Sequence, residues 1–490
     1  IASAHPLATK AGYEILEQGG NAFDAAVTVS AVLSVVEPYS SGLGGGGFFL
    51  LHSIEKNESI FIDAREKAPS LAKRDMYLDE NGDVLRTASL NGPLASGIPG
   101  LPAALHHVSN KHGSMPLYKL LQPAIRLARE GFPAYERLIT ALTVAERSRT
   151  LSPKFKAVFM PNGKLPNVGE IIKQPELAKT LEIIASSGQE GFYSSFFTET
   201  MVQEARQDGS IWLEEDFENY SVVEREPITI NFLGAQLTTA PPPSSGGTTI
   251  ATILNIISEF DFSGMETSAR AHLIVEAMRR AYRDRAFYLG DPDFVDIPIR
   301  KLISKEHALD LAQSIDMDAA TPIHKDDQLD GKLAWNEGAH TSHFSILDMN
   351  GNRAAVTQTI NTWFGSGYML PSSGLILNNE MDDFSAKPFA PNRYGLVHGE
   401  QNSIQPNKRM LSSMTPTFIE SDRGIAILGT PGGARIITMV LLSILDYFDG
   451  GDAKSMTASK RFHHQFLPDV IRYEKDTFSD EVIQGLETKG

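Results

Sequence analysis

Three stretches of this sequence combine residue types that could do chemistry. In Thr430-Pro431-Gly432-Gly433-Ala434-Arg435, a strand-like run gives way to an apolar helical one. Backbone N–H groups at such a junction lack intrahelical partners, and glycine lets a substrate come close to them. The segment can therefore hold an anion or a developing oxyanion, although an ordinary strand-to-helix turn reads the same way. Asn378-Asn379-Glu380-Met381-Asp382-Asp383-Phe384 follows Leu375-Ile376-Leu377, which is expected to be an apolar strand. By itself this polar stretch reads as a surface turn. Lys408-Arg409-Met410-Leu411-Ser412-Ser413-Met414 sets paired hydroxyls beside basic side chains, and by itself it specifies no chemistry.

Other patterns lose their obvious chemistry on inspection. His340-Thr341-Ser342-His343, with Asp348 beyond, invites a metal reading. In a strand His340 and His343 face opposite ways, and no HExxH-like pattern supplies further ligands, so no metal is expected. His463-His464 fails for the same reason. Gly42, Gly44 and Gly47 satisfy G-x-G-x-x-G, with Asp63 downstream. A dinucleotide site needs a strand before the glycines and a helix after them. Here the order is reversed, and a tight turn with closely packed backbone is expected instead.

The elements that must position these residues follow from periodicity. Residues 6–18 read as a helix closed by Gly19-Gly20, and Asn21 as the N-cap of an almost wholly apolar, hence buried, helix over 23–36. Strands are expected at 48–53 and 59–63, with Arg65 just past the second. Helical patterns dominate from about 114 to 282, interrupted by the turn-rich 240–247, and 323–337 reads as an exposed loop. Strands at 343–348 and 354–360 flank an Asn-Gly hairpin signal, a second pair covers 415–420 and 425–429, and a helix follows over 434–448. With no linker or internal repeat, one large α/β domain spanning 1–490 is expected.

Composition narrows the classes. The chain has 42% hydrophobic and 21% charged residues, as an ordinary folded protein does. A net charge of −16 argues against a nucleic-acid or anionic-membrane surface. The absence of cysteine rules out thiol catalysis, thiolate metal sites and disulfides. No apolar run reaches the roughly 18 residues of a membrane span. Ile1 is not an initiator Met and no signal-peptide pattern follows it, so a removed leader or a trimmed start is expected.

Taken together, the segments resemble the γ-glutamyltranspeptidase family of the N-terminal-nucleophile hydrolase superfamily. The resemblance is carried, in order, by Gly19-Gly20-Asn21-Ala22, the Gly44–Gly47 run, Asp63-Ala64-Arg65-Glu66-Lys67-Ala68-Pro69 and Pro242-Pro243-Ser244-Ser245-Gly246-Gly247. It continues through Tyr288-Leu289-Gly290-Asp291-Pro292, His340-Thr341-Ser342-His343-Phe344-Ser345, residues 378–385, Leu411-Ser412-Ser413-Met414 and Pro431-Gly432-Gly433.

The resemblance implies a four-layer αββα sandwich and a precursor that cuts itself between His340 and Thr341. The products would be an associated large subunit, 1–340, and small subunit, 341–490. It makes Thr341 the nucleophile, with its freed α-amino group as base, and Thr359 the support of that hydroxyl. Gly432 and Gly433 become the oxyanion hole. Arg65, Ser412 and Ser413 would hold a substrate α-carboxylate, and Asn361, Glu380 and Asp383 an α-ammonium. Residues 388–402, with Tyr394, match a lid. Ser342 stands where Thr is common, Glu380 where some members have Gln, and the chain stops short of the family's usual C-terminal strands. The implied activity is hydrolysis or transfer of γ-glutamyl groups from glutathione-like amides to water, amino acids or peptides. It needs no cofactor and takes place in the periplasm or outside the cell. A glutaryl-type acylase of the same family is the nearest alternative, and an uncleaved, silent binding protein is another.

Overall fold

The computed structural model describes residues 1–262, 264–322 and 340–490. The exposed loop expected at 323–337 lies outside the described residues. Along the chain, helices α1 (Pro6–Glu17) and α2 (Ala22–Val36) precede strands β1 (Gly46–Ser53) and β2 (Glu58–Ala64). Helices α3 (Leu101–Lys111), α4 (Leu117–Glu130) and α5 (Pro175–Tyr193) lead to β3 (Val223–Arg225), β4 (Ile228–Phe232) and β5 (Ala235–Thr239). After α6 (Gly246–Ile257) and α7 (Thr267–Tyr288) come β6 (Ser342–Leu347), β7 (Arg353–Thr359), β8 (Thr417–Ser421), β9 (Gly424–Leu428) and α8 (Ile436–Phe448).

Local chemistry starts the second helix where expected. The Asn21 side chain accepts from the N–H groups of Phe23 and Asp24, and Asp24 accepts from Asn21 N–H, each at 2.9 Å. Every residue of α2 is buried.

Two antiparallel sheets form the centre, in the orders β3-β2-β1-β7-β6 and β9-β8-β5-β4. Side chains alternate across a strand, and β1 uses both faces. Phe49 and Leu51 join a core with α1 to α5, whereas Phe48 and Leu50 join the second sheet and α6 to α8 in another. The layers are therefore helix, sheet, sheet, helix, the αββα sandwich implied by the resemblance.

Two expectations need correction. Strands β3 to β5 lie inside the stretch read as helical. The signal was present: Ile228, Ile230 and Phe232 are buried in alternation with exposed Thr229 and Asn231. Leu233 and Gly234 then turn the chain with φ of 47° and 82°. The strand expected at 375–377 does not form; its backbone instead closes a loop, with Leu377 N–H on Tyr368 O and Leu370 N–H on Leu375 O, both at 2.9 Å.

The glycine run is a place of close backbone approach. A Cβ on Gly44 would stand 2.1 Å from Ile376 O, and one on Gly45 2.0 Å from Thr359 O. The run thus packs against the end of the strand that carries Thr359.

Candidate functional site

The hairpin β6–β7 sets the centre of the site. Its register pairs Ser342 with Gln358, so Thr341, just before β6, sits beside Thr359 at the end of β7. Thr341 Oγ donates to Thr359 Oγ at 3.1 Å, and Thr359 Oγ also accepts from Asn361 N–H at 2.8 Å. Thr341 is buried and has φ of +93°. A β-branched residue there is strained by about 1–3 kcal/mol, strain that only the surrounding structure can hold. In the continuous chain the carbonyl oxygen of His340 accepts from Gly432 N–H at 3.1 Å. The peptide bond before Thr341 is thus polarised from one side, with a hydroxyl adjacent.

Gly432 and Gly433 have φ of 142° and 56° and form the turn into α8. Side chains there would stand 2.3 Å from Met439 Cε and 2.5 Å from the Tyr394 ring. Only glycine leaves both N–H groups where they are.

Arg65 follows β2, as expected, and is fully buried. Its Nη1 lies 2.6 Å from Glu380 and 3.5 Å from Glu66, its Nη2 2.6 Å from Asp383, and its Nε donates to Met410 O at 3.2 Å. Burial pushes the Glu66 carboxyl up to about 7 against the pull of Arg65. Glu380 is pushed well above the usual carboxylate range, by burial first and then by Glu66 and Asp383, with Arg65 opposing. One guanidinium does not offset the burial of both glutamates.

Residues 378–384 are not a surface turn. Asn378, Asn379 and Glu380 are completely buried. Asn378 Nδ2 donates to the carbonyls of Gly44 and Gly97 at 2.7 and 2.9 Å, and the Asn361 amide donates to Asn379 O at 2.9 Å. The asparagines satisfy distant backbone and leave the acids facing inward. Ser412 is held from behind: Ser245 donates to its carbonyl through both N–H and Oγ at 2.7 Å. Tyr394 Oη donates to Asn361 O at 3.1 Å, bracing the segment read as a lid.

Thr341, Thr359, Gly433, Arg65, Asn361, Glu380, Asp383, Ser412, Ser413 and Tyr394 line one cavity. Gly432 lines an open cleft next to it, alongside Arg435 and Arg461. His340 faces a different cavity with Arg149, Trp363 and Arg393. The central cavity measures about 20 Å³, room for roughly one water. The ion pairs of Arg65 and the side chain of Tyr394 border it.

The two histidines have different settings, His340 before β6 and His343 within it. His343 Nδ1 contacts Thr357 Oγ at 2.9 Å, and burial pushes its pKa down to about 3. His340 is also pushed down to about 3, by burial and then by Arg149 and other arginines. Among the described residues, one group of three potential metal ligands, His107, His112 and Glu224, lies within 4.8 Å of one another. None of these three lines the central cavity, and none stood out in the sequence. Arg285 and His398, which do line it, were also missed. Their signal, a charged or polar residue on a buried face, exists only once the faces are known.

Known proteins resemble this chain along its whole length. The family described as gamma-glutamyltranspeptidase matches residues 8–490. The glutathione hydrolase proenzyme of Escherichia coli strain K12 is 44% identical over 495 residues, covering 100% of this chain and 85% of that protein. The proenzyme of Bacillus subtilis strain 168 is 36% identical over 512 residues, covering 100% and 84%. Among solved structures, the Helicobacter pylori gamma-glutamyltranspeptidase aligns with a TM-score of 0.63 at 38% identity, over 66% of this chain and 93% of that one. A cephalosporin acylase from Bacillus halodurans aligns with a TM-score of 0.85 at 26% identity, over 100% and 87%. The chain is an enzyme that belongs to the gamma-glutamyltranspeptidase family.

Proposed function

We propose that this protein cuts itself between His340 and Thr341, and then hydrolyses or transfers γ-glutamyl groups from glutathione-like amides through a γ-glutamyl ester on Thr341. The observation that carries the reading is the Thr341 hydroxyl on Thr359, next to a His340 carbonyl that is itself hydrogen-bonded to Gly432 N–H. In the first reaction Thr341 Oγ attacks the His340 carbonyl carbon. The C–N bond breaks, the nitrogen takes the hydroxyl proton, and water hydrolyses the ester. Relief of the positive φ at Thr341 favours the cut. The freed α-amino group has a reference pKa of roughly 7.7–8.0 and can then serve as base without a histidine.

In turnover that amine takes the Thr341 hydroxyl proton as Oγ attacks the γ-carbonyl. The N–H groups of Gly432 and Gly433 receive the oxyanion. The leaving amine departs with the proton, and water or an acceptor amine resolves the ester. Substrate recognition is an exchange of ion pairs. The α-carboxylate takes Arg65, with Ser412 and Ser413, while the α-ammonium takes Glu380 and Asp383, with Asn361. The segment 388–402, with Tyr394, must swing aside to admit the donor. Subunits 1–340 and 341–490 stay together because each supplies strands to both sheets: β1 to β5 come from the first and β6 to β9 from the second. The family resemblance puts this work in the periplasm or outside the cell. Among the described residues no helix is long and apolar enough to cross a membrane.

Denaturing mass spectrometry is expected to find two fragments meeting at His340 and Thr341, and a single chain in Thr341→Ala. A wild type that stays whole yet turns over substrate would overturn the nucleophile; one that stays whole and inert would favour a binding protein. The acylase fold match supports a second reading, cleavage of glutaryl amides. A glutaryl group leaves Asp383 facing a bare methylene, so γ-glutamyl anilide is expected to be preferred about ten- to hundredfold in kcat/KM. The opposite preference would put the acylase reading in its place.

A further inference from the structure

The central cavity contains a second arginine whose surroundings are the reverse of those of Arg65. Arg285, in the last turn of α7, is 2% exposed. Among the described residues its hydrogen-bonding contacts are all to neutral groups. Nε donates to Ser245 Oγ at 2.9 Å, Nη1 lies 3.4 Å from His398 Nδ1, and Nη2 lies 3.5 Å from Ser413 Oγ. A buried cation with no anion at contact distance is costly, and burial pulls its pKa down to about 10 against Tyr282 and Asp383, which act to raise it. It nevertheless remains charged at neutral pH. Arg65 has three acidic side chains around it, whereas Arg285 has none at contact distance among the described residues and lines the same cavity.

We propose that Arg285 is a positioning residue for the acyl donor's α-carboxylate, acting through Ser413 and supplying a positive charge that no acidic side chain among the described residues contacts. Because Nη2 donates to Ser413 Oγ, the serine's own proton is free to point at the carboxylate. The same guanidinium, through Nε, fixes Ser245 Oγ, which in turn donates to Ser412 O at 2.7 Å. Both serines therefore depend on one buried charge. The lid is tied to the same spot: Gly399 N–H donates to Ala286 O at 2.8 Å, beside the His398 contact. This assignment rests on the γ-glutamyl reading.

The experiment compares two donors, a γ-glutamyl anilide with a free α-carboxylate and its α-carboxamide counterpart, on wild type, Arg285→Gln and Arg285→Lys. Arg285→Gln is expected to raise KM for the carboxylate donor about ten- to hundredfold, the weight of one charge-assisted contact. The carboxamide donor should change far less. Arg285→Lys should keep part of the discrimination. An active variant that loses both donors equally marks Arg285 as merely structural and overturns the proposal. Should Arg285→Gln fail to fold, a double-mutant cycle of Arg285→Lys with Ser413→Ala decides. Non-additive losses in carboxylate discrimination are expected, and additive ones overturn the assignment. A wild type that turns over neither donor removes the γ-glutamyl reading itself, and this assignment with it.

Discussion

Around Arg65 the decisive quantity is whether the two buried glutamates, Glu66 and Glu380, hold protons. Glu66 is pushed up to about 7 and Glu380 is pushed well above its ordinary value, in both cases chiefly by burial. A substrate ammonium brings a second cation, and Glu380 must give up its proton to meet it. The sign follows directly. Below the raised pKa the free site holds a neutral acid, so binding costs a deprotonation and KM rises as pH falls. Glu380→Gln keeps an oxygen acceptor but cannot titrate. It is expected to retain kcat within about tenfold and to flatten the rise in KM as pH falls, a rise of at most about one decade per pH unit. Parallel KM–pH profiles for variant and wild type would assign the titration elsewhere.

Strand β7 can present Thr359 only because the glycine run lies flat against its end. A Cβ on Gly45 would meet Thr359 O at 2.0 Å and Ile360 Cγ2 at 2.7 Å, so backbone has to move. Gly45→Ala is expected to lower stability by about 1–3 kcal/mol and to slow self-cleavage by shifting Thr359 away from Thr341. Gly42 offers the control. Its nearest atom to an added Cβ is Ile360 Cγ2 at 3.6 Å, an ordinary contact, and Gly42→Ala should cleave like wild type. Denaturant unfolding and time-resolved mass spectrometry of the two variants check this. Equal behaviour would mean that the run is not what holds Thr359.

At the scale of the molecule, the helices that cover the second sheet meet at a neutral histidine. His463 lies 2.9 Å from Thr438 Oγ on α8 and 2.7 Å from Gln465 Oε1, with its ring 5.7 Å from that of Tyr282 on α7. Burial pushes it down to about 3. A folded pKa below the unfolded value of about 6.5 means that its contribution is complete above pH 6.5. It is lost as pH falls toward 3, by at most about 1.4 kcal/mol per pH unit. The stability gap between wild type and His463→Gln should therefore shrink by about 2 kcal/mol between pH 7 and 5. Chemical denaturation at both pH values measures it, and a gap that does not change with pH would mean that His463 is not neutral in the fold.

Much of this protein could be read from local pattern. Asn21 caps α2 through bonds to residues two and three positions away, and Asn350-Gly351 turns the hairpin that brings Thr341 to Thr359. Such features need only neighbours in the chain, so periodicity and turn chemistry reveal them, and the order of the motifs revealed the family. What remained hidden depends on partners far apart in sequence. Residues 378–384 looked like a solvated turn because their polar atoms are satisfied by Gly44 and Gly97, 334 and 281 positions away. Strands β3 to β5 are short, and pairing made them strands: β5 is held against β8. Arg285 belongs to an arginine-rich helix in which spacing does not tell a solvated side chain from one facing the cavity. Burial of a polar group is decided by what the rest of the chain places against it, and only the tertiary structure supplies that.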